Sequence, residues 1–392
     1  MLQYLFDGDR MYKFFKERLD SKIENHNLRT LREYCPIDAV RVKRNNKEYL
    51  MMASNNYLGL TFDTRVIEGA LKGTQEYGTG SGGSRLVSGT FPLFTELENA
   101  LAKFKNTEKA LVFNTGYMAN VGTISAIADK DTIIFSDALN HASIIDGCRL
   151  SRGTIKTYSH CDIDELKYLL KQVDRNTRKL IVTDGVFSMD GAPLDKLYEL
   201  SRDYNALLMV DDAHATGTIG NGHGTAAYFG LEKEVDIQLG TLSKSLGSVG
   251  GYVAANSTII DYLVNTSRSF IFSTALSPAD IGAALAALHV LESDISVLQR
   301  LHENVNYMAD KLISMGINAT NETPIFPILI GRNEDTLAVS EYLYEAGIIG
   351  TAIRPPTVPI GESRIRLTVT AAHNKEQIDY VCQSLHNAMK QL

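Results

Sequence analysis

The chain has 392 residues, 44% of them hydrophobic and 22% charged, with 39 basic against 46 acidic side chains and a net charge of −7. At roughly 100 to 200 residues per domain, this length predicts two domains, or one large domain with an appendage, and a core able to enclose a small molecule. Lys and Arg are scattered and outnumbered, which excludes the basic footprint that nucleic-acid backbones and anionic membrane surfaces require.

The four cysteines, Cys35, Cys148, Cys161 and Cys382, lie far apart without metal-type spacing, as expected of reduced thiols in a cytoplasm. The segment after Met1 lacks the basic and apolar pattern of a secretory leader. The longest apolar stretch, Ile281 to Leu291, is interrupted by His289 and is shorter than the roughly 18 to 20 residues of a membrane span. A soluble, cytoplasmic protein is expected.

Residues 1–54 are polar and charge-rich, with a helical pattern from Tyr12 to Ile23 and a short strand near Tyr49 to Met52; they read as an arm. Residues 55–290 then alternate amphipathic helices, such as Phe94, Leu97, Leu101 and Phe104 on one face, with short apolar runs. Those runs are Ala110 to Phe113, Thr132 to Phe135, Leu180 to Val182, Leu207 to Val210 and Ile237 to Leu239. Buried strands separated by helices predict an α/β domain with a largely parallel sheet. After Pro278 an Ala- and Leu-rich helix leads into residues 291–392, where Pro324 to Leu329 and Arg364 to Val369 read as strands of a smaller α+β unit.

Gly78, Gly80 and Gly83 satisfy the G-x-G-x-x-G spacing, but a helix precedes them and turn-rich sequence follows, so the context of a dinucleotide fold is missing. No Walker loop, H-E-x-x-H or paired-cysteine zinc pattern is present, and His160 beside Cys161 reads as ordinary surface. More informative are two apolar runs that each end in a polar cluster: Leu207 to Val210 runs into Asp211, Asp212 and His214, and Ile237 to Leu239 runs into Thr241, Ser243 and Lys244. Strand ends at one rim are where α/β sheets hold ligands. A lysine there either snorkels outward or serves as an amine of lowered pKa. An aldehyde cofactor joined to Lys244, its pyridinium nitrogen facing Asp211, needs this pair of residue types. Its phosphate needs donors, and Thr115, Gly116 and Tyr117 open a helix after Ala110 to Phe113, with the hydroxyls of Thr241 and Ser243 beside Lys244.

The run T-L-S-K-S-L-G-S-V-G at Thr241 to Gly250 resembles the lysine signature of class II pyridoxal-phosphate enzymes, and nearly the whole chain is similar to the α-oxoamine synthases. Further matches are S-N-N-Y-L-G-L at Ser54 to Leu60, G-S-G-G-S at Gly80 to Ser84 and S-D-A-L-N-H-A-S at Ser136 to Ser143. D-G-V-F-S-M-D-G at Asp184 to Gly191 and V-D-D-A-H at Val210 to His214 complete the set. The resemblance implies a fold type I homodimer with pyridoxal 5'-phosphate, condensing an amino acid with an acyl thioester and losing CO2. It implies Lys244 as the Schiff-base lysine and Cα base, Asp211 on the pyridinium, and His214 and Ser188 near the phenolic oxygen. His141 would stack on the ring and assist protonation. Gly116, Tyr117 and Thr241 would bind the phosphate, with Ser273 and Thr274 reaching it from the partner subunit. Asn55 would approach the reacting centre, and Asp184 stands where many relatives carry Glu.

Substrate choice rests on arginines. The stretch from Ala352 through Arg354 to Pro359, followed by Arg364 to Thr370, resembles the branch that joins L-alanine to a pimeloyl thioester on coenzyme A or acyl-carrier protein. Arg354 would then fork onto the amino-acid carboxylate, and Arg32 would lie near the acyl carrier. The stretches around Asn140 and Asp184 look equally like the branch that transfers acetyl to glycine. A plain aminotransferase would exchange keto acids without releasing CO2. A scaffolding subunit would lack the lysine, and Lys244 is present.

Overall fold

A computed structural model describes residues 8–25, 28–187, 191–355 and 357–392. Its centre is a seven-stranded sheet whose spatial order is Lys109–Phe113, Gly251–Ala255, Ile237–Thr241, Leu207–Asp211, Arg178–Asp184, Thr132–Asp137 and Thr154–Tyr158. All run parallel except Gly251–Ala255, which pairs antiparallel with both neighbours. The apolar runs are continuous because both faces are covered. Leu180, Val182 and Met209 enter one core, while Ile181, Leu208 and Val210 enter another on the opposite face.

The sequence pattern misses Gly251–Ala255, whose small residues carry little hydrophobic signal. Its Tyr252 packs so closely on the neighbouring strand that a Cβ at Gly240 would stand 2.4 Å from the Tyr252 hydroxyl. The helix Pro278–Ser293 lies in the core formed with Thr64–Tyr77 and Pro92–Phe104. No single helix among the described residues is long and apolar enough to cross a membrane.

The C-terminal region folds as Ile325–Gly331, Ser363–Thr368 and Thr351–Ile353 in a three-stranded sheet, backed by helices Asn333–Glu345 and Lys375–Met389. It is stitched to the N-terminal segment. Ile348–Ile349 pairs parallel with Leu50 and Met51, the Thr368 N–H donates to the Met52 carbonyl at 2.7 Å, and the Ala371 N–H donates to the Tyr57 carbonyl at 2.8 Å. These bonds carry the strand Ser363–Thr368 against Asn55 to Tyr57.

The parallel strands all end at one rim, which collects Asp137, Asp184, Asp211 and Thr241. Behind it, Asp212 forms a fully buried ion pair with Lys105 at 2.6 Å, and that ammonium also donates to the His223 carbonyl. Breaking such a pair leaves an uncompensated buried charge, so it fixes the turn after Asp211.

Candidate active site

Lys244 follows the strand Ile237–Thr241, and its Nζ lies 2.8 Å from His214 Nε2. On the other side of that ring, Nδ1 lies 2.6 Å from the Tyr57 hydroxyl, which donates to Asn55 Oδ1 at 3.2 Å. Because Asn55 Oδ1 can only accept, the polarity of the chain is set. Lys244 donates to His214 Nε2, His214 Nδ1–H donates to Tyr57, and Tyr57 donates to Asn55. Burial drives the His214 imidazole well below its ordinary value, with the Lys244 charge acting in the same sense, so the ring is neutral and suited to this relay. Burial also lowers the Lys244 ammonium from 10.5 to about 8, against the opposing pull of Asp211 and Asp184. An amine in that range is poised to give and take a proton near neutrality.

Asp211 and Asp184 are direct neighbours across the parallel pair of strands. Burial raises both carboxyls, and each is held by donors: Ala213 N–H and Asn120 Nδ2 on Asp211 at 2.8 and 2.6 Å, and the His141 backbone N–H on Asp184 at 2.6 Å. The shorter Asp in place of Glu therefore still reaches, gripping the main chain at His141. His141 caps the helix Ala142–Leu150 and opens to the cleft. Partial burial lowers its imidazole, opposed by Asp211.

Beside Lys244, the helix Gly116–Ile127 presents its N-terminus, with the Thr115 hydroxyl accepting from Met118 N–H. Gly116 sits so close that an added Cβ would meet Thr241 Cβ at 3.3 Å, and the Thr241 hydroxyl lies 2.7 Å from Ser243 Oγ. This is an anion cradle of backbone donors and hydroxyls. The Tyr117 hydroxyl donates to Asp146 at the surface. Ser273 and Thr274 lie on the loop after the helix Arg268–Ile271, and Asn114 Nδ2 donates to the Thr274 carbonyl at 2.6 Å.

Lys244, Asp211, His214, His141, Asn55, Gly116, Thr241 and Ser243 thus stand around one rim, while Ser188 lies outside the described residues. Arg32 stands elsewhere, its guanidinium 5.3 Å over the Tyr344 ring. Arg354 follows the strand Thr351–Ile353, and its carbonyl accepts from Thr357 N–H. The arginine that enters the relay is Arg366, which donates to Asn55 Oδ1 at 3.0 Å and lies 3.5 Å from the Tyr57 hydroxyl. Its buried Nε has no hydrogen-bond partner. The guanidinium thus brings a cation beside Asn55 and Tyr57, a charge suited to holding an acid. The signal was in the sequence: Ile365 and Leu367 alternate into the core, which puts Arg364, Arg366 and Thr368 on the opposite face. Tyr57 and Asn120 were also missed, Tyr57 inside a matched motif and Asn120 inside an apolar helix.

His160 is not plain surface. It is half-buried, bonded through Nδ1 to Asp137 Oδ1 at 2.9 Å, and grouped with Cys161 within 4.8 Å. The Asp137 carboxylate also accepts from Leu139 and Cys161 N–H, so it serves to tie the turn around residue 160 to the strand end.

The aminotransferase class I and II pattern matches residues 47–385. The 8-amino-7-oxononanoate synthase of Lysinibacillus sphaericus is 46% identical over 382 residues, covering 96% of this chain and 98% of its own. That of Geobacter metallireducens is 46% identical over 374 residues, covering 94% and 96%. A serine palmitoyltransferase from S. paucimobilis, solved with a bound PLP–myriocin aldimine, superposes with a TM-score of 0.92 at 29% identity over 98% of this chain and 99% of its own.

Proposed function

This chain belongs to the aminotransferase class I and II family and, within it, to the α-oxoamine synthases, pyridoxal-phosphate-dependent acyltransferases of fold type I; we propose that it condenses L-alanine with a pimeloyl thioester. The products are 8-amino-7-oxononanoate, CO2 and the free thiol carrier, a step of biotin synthesis in the cytoplasm. The observation that carries this reading is the relay from Lys244 through His214 and Tyr57 to Asn55 and Arg366, together with relatives of that name at 46% identity over nearly the full chain.

The residues present fit pyridoxal phosphate: an amine of lowered pKa, a buried carboxylate one strand away, and a helix N-terminus flanked by hydroxyls. When bound, the cofactor supplies an aldehyde carbon that exchanges amines and a cationic ring that draws in the electron pair left at Cα. Asp211 would hold the ring nitrogen. Gly116 and Tyr117 at the helix start, with Thr241 and Ser243, would hold the phosphate, and Ser273 and Thr274 of a second copy would complete it. His214 would serve the phenolic oxygen, alongside Ser188. Exposed Val87 and Phe272, beside the loops at Ser84 and Thr274, suit a homodimer contact.

With the cofactor in place, the Lys244 amine is the base that would take the alanine Cα proton. Its N–H bond to His214 directs the lone pair away from the relay. Arg366 would hold the substrate carboxylate, with Asn55 fixing its guanidinium. Arg354 follows the Thr351–Ile353 strand, and Arg32 on the N-terminal segment would lie near the acyl carrier. The new carbon–carbon bond forms at the thioester carbonyl as the thiolate leaves, and His141 would give its proton to the carbonyl oxygen while that atom carries the developing charge.

The test offers purified enzyme L-alanine or glycine with pimeloyl or acetyl thioesters and traps both CO2 and product. Alanine with the pimeloyl thioester is expected to turn over fastest. Glycine with acetyl-CoA turning over far faster would replace this reading by acetyl transfer to glycine, and keto-acid exchange without CO2 would replace it by transamination.

A further inference from the structure

The ring of His141 is joined to the carboxylate of Asp211 by two buried side chains. Asn120, buried in the helix Gly116–Ile127, places its Nδ2 at 2.6 Å from Asp211 Oδ2 and at 2.9 Å from Ser143 Oγ. Ser143, equally buried, places its Oγ at 2.7 Å from His141 Nδ1. The orientation of the Asn120 amide is dictated, because a carboxylate only accepts; both amide hydrogens are therefore spent, one on Asp211 and one on Ser143. The Asn120 Oδ1 is left buried without a partner. An unsatisfied buried carbonyl is destabilising, a cost that an apolar side chain of similar shape would avoid.

At the other end of the chain, the Ser143 backbone N–H, which can only donate, points to His141 Nδ1 at 3.3 Å. Nδ1 is thus an acceptor. Ser143 Oγ, receiving from Asn120, has its own hydrogen to give to that nitrogen. The remaining ring proton must sit on Nε2.

We propose that Ser143 and Asn120 are positioning residues that hold His141 in the tautomer carrying its proton on Nε2 and lock that ring to the Asp211 carboxylate. His141 then faces the cleft as a hydrogen-bond donor. The two groups assigned to the face and to the nitrogen of the cofactor move as one unit, since Asn120 belongs to the same helix that offers its N-terminus to the phosphate. The consequence for catalysis rests on the reading of the site given above. The tautomer does not, because it is a property of the protein alone.

The experiment is 15N NMR of the imidazole nitrogens in apoprotein and in protein loaded with pyridoxal phosphate, His141 being identified by its loss in His141→Gln. The wild type is expected to show one protonated nitrogen, Nε2, and one bare nitrogen, Nδ1, with widely separated signals. In Ser143→Ala and Asn120→Ala, where the long 3.3 Å backbone contact alone still favours the proton on Nε2, the separation shrinks toward the average of two exchanging tautomers, and Ser143→Thr, which keeps the hydroxyl, retains it. In steady-state assays kcat falls about tenfold in both alanine variants while KM for the amino acid holds, a fraction of what an oriented proton donor contributes. The two variants lie on different helices, so a folding failure in one, seen as a lost melting transition, leaves the other decisive. A wild-type proton on Nδ1, or separation unchanged in the folded alanine variants, overturns the proposal. An acyl donor other than pimeloyl would alter the reaction and leave these signals untouched.

Discussion

Replacing Lys244 by alanine is expected to cut product formation by about 10,000-fold, the upper range for loss of a positioned proton-transfer group. The reason lies in the environment more than in the residue type. Burial pulls the ammonium down from 10.5 to about 8, so a useful fraction is neutral at physiological pH, and His214 orients the amine through a 2.8 Å bond. The same burial destabilises the empty protein. Below about pH 8 both folded and unfolded chains hold the Lys244 proton, and the fold bears the full desolvation cost. Between about 8 and 10.5 the folded state releases the proton first, the unfolded state binds more, and stability rises with pH. At roughly 1.4 kcal/mol per pH unit of displacement, the cost at neutrality is about 3 kcal/mol. Apoprotein carrying Lys244→Met should therefore melt higher than wild type at pH 7, and the difference should vanish toward pH 10.5. Calorimetry across that range checks it, and a variant less stable at pH 7 would show that Lys244 is not held against its hydration.

Arg366→Gln is expected to lower kcat/KM for the amino acid by about 100-fold, with most of the loss in KM. That corresponds to about 3 kcal/mol, the magnitude of one to two hydrogen bonds to a charged group. Arg366 is the arginine bonded to Asn55 and beside Tyr57. Arg366→Lys should recover little, because a single ammonium cannot reproduce two parallel N–H donors. Arg354→Gln in parallel assays should cost less than tenfold, since Arg354 lies on the turn beyond Ile353. A larger loss at Arg354 than at Arg366 would return the carboxylate site to the arginine that the sequence first suggested.

That pair of arginines illustrates how far the sequence could be read. The strand ends were legible because a buried strand is a run of apolar residues, and the polar residue that ends the run marks the rim, as at Asp211 and Thr241. The helix start after Phe113 was legible for a similar reason: Thr115 caps a helix in the chain segment that follows a strand. Choosing between Arg354 and Arg366 needed the docking of the C-terminal sheet on Met52 and Tyr57, which is a tertiary fact. The relay through Tyr57 joins residues 157 apart in sequence, and no local pattern announces it. Asn120 looks like a poor helix residue until Asp211, 91 residues away, is brought beside it. The antiparallel strand Gly251–Ala255 escaped because its small residues are explained only by the Tyr252 ring packed over Gly240.

The account depends on Lys244 being the residue that bonds to pyridoxal phosphate. Reducing the loaded enzyme with borohydride, digesting it and mapping the peptides by mass tests this directly. A pyridoxyl group is expected on Lys244, with its yield lost when the cofactor is removed before reduction. A pyridoxyl group on another lysine, or none on protein isolated with the vitamin supplied, would contradict the assignment of the site and the reaction built on it.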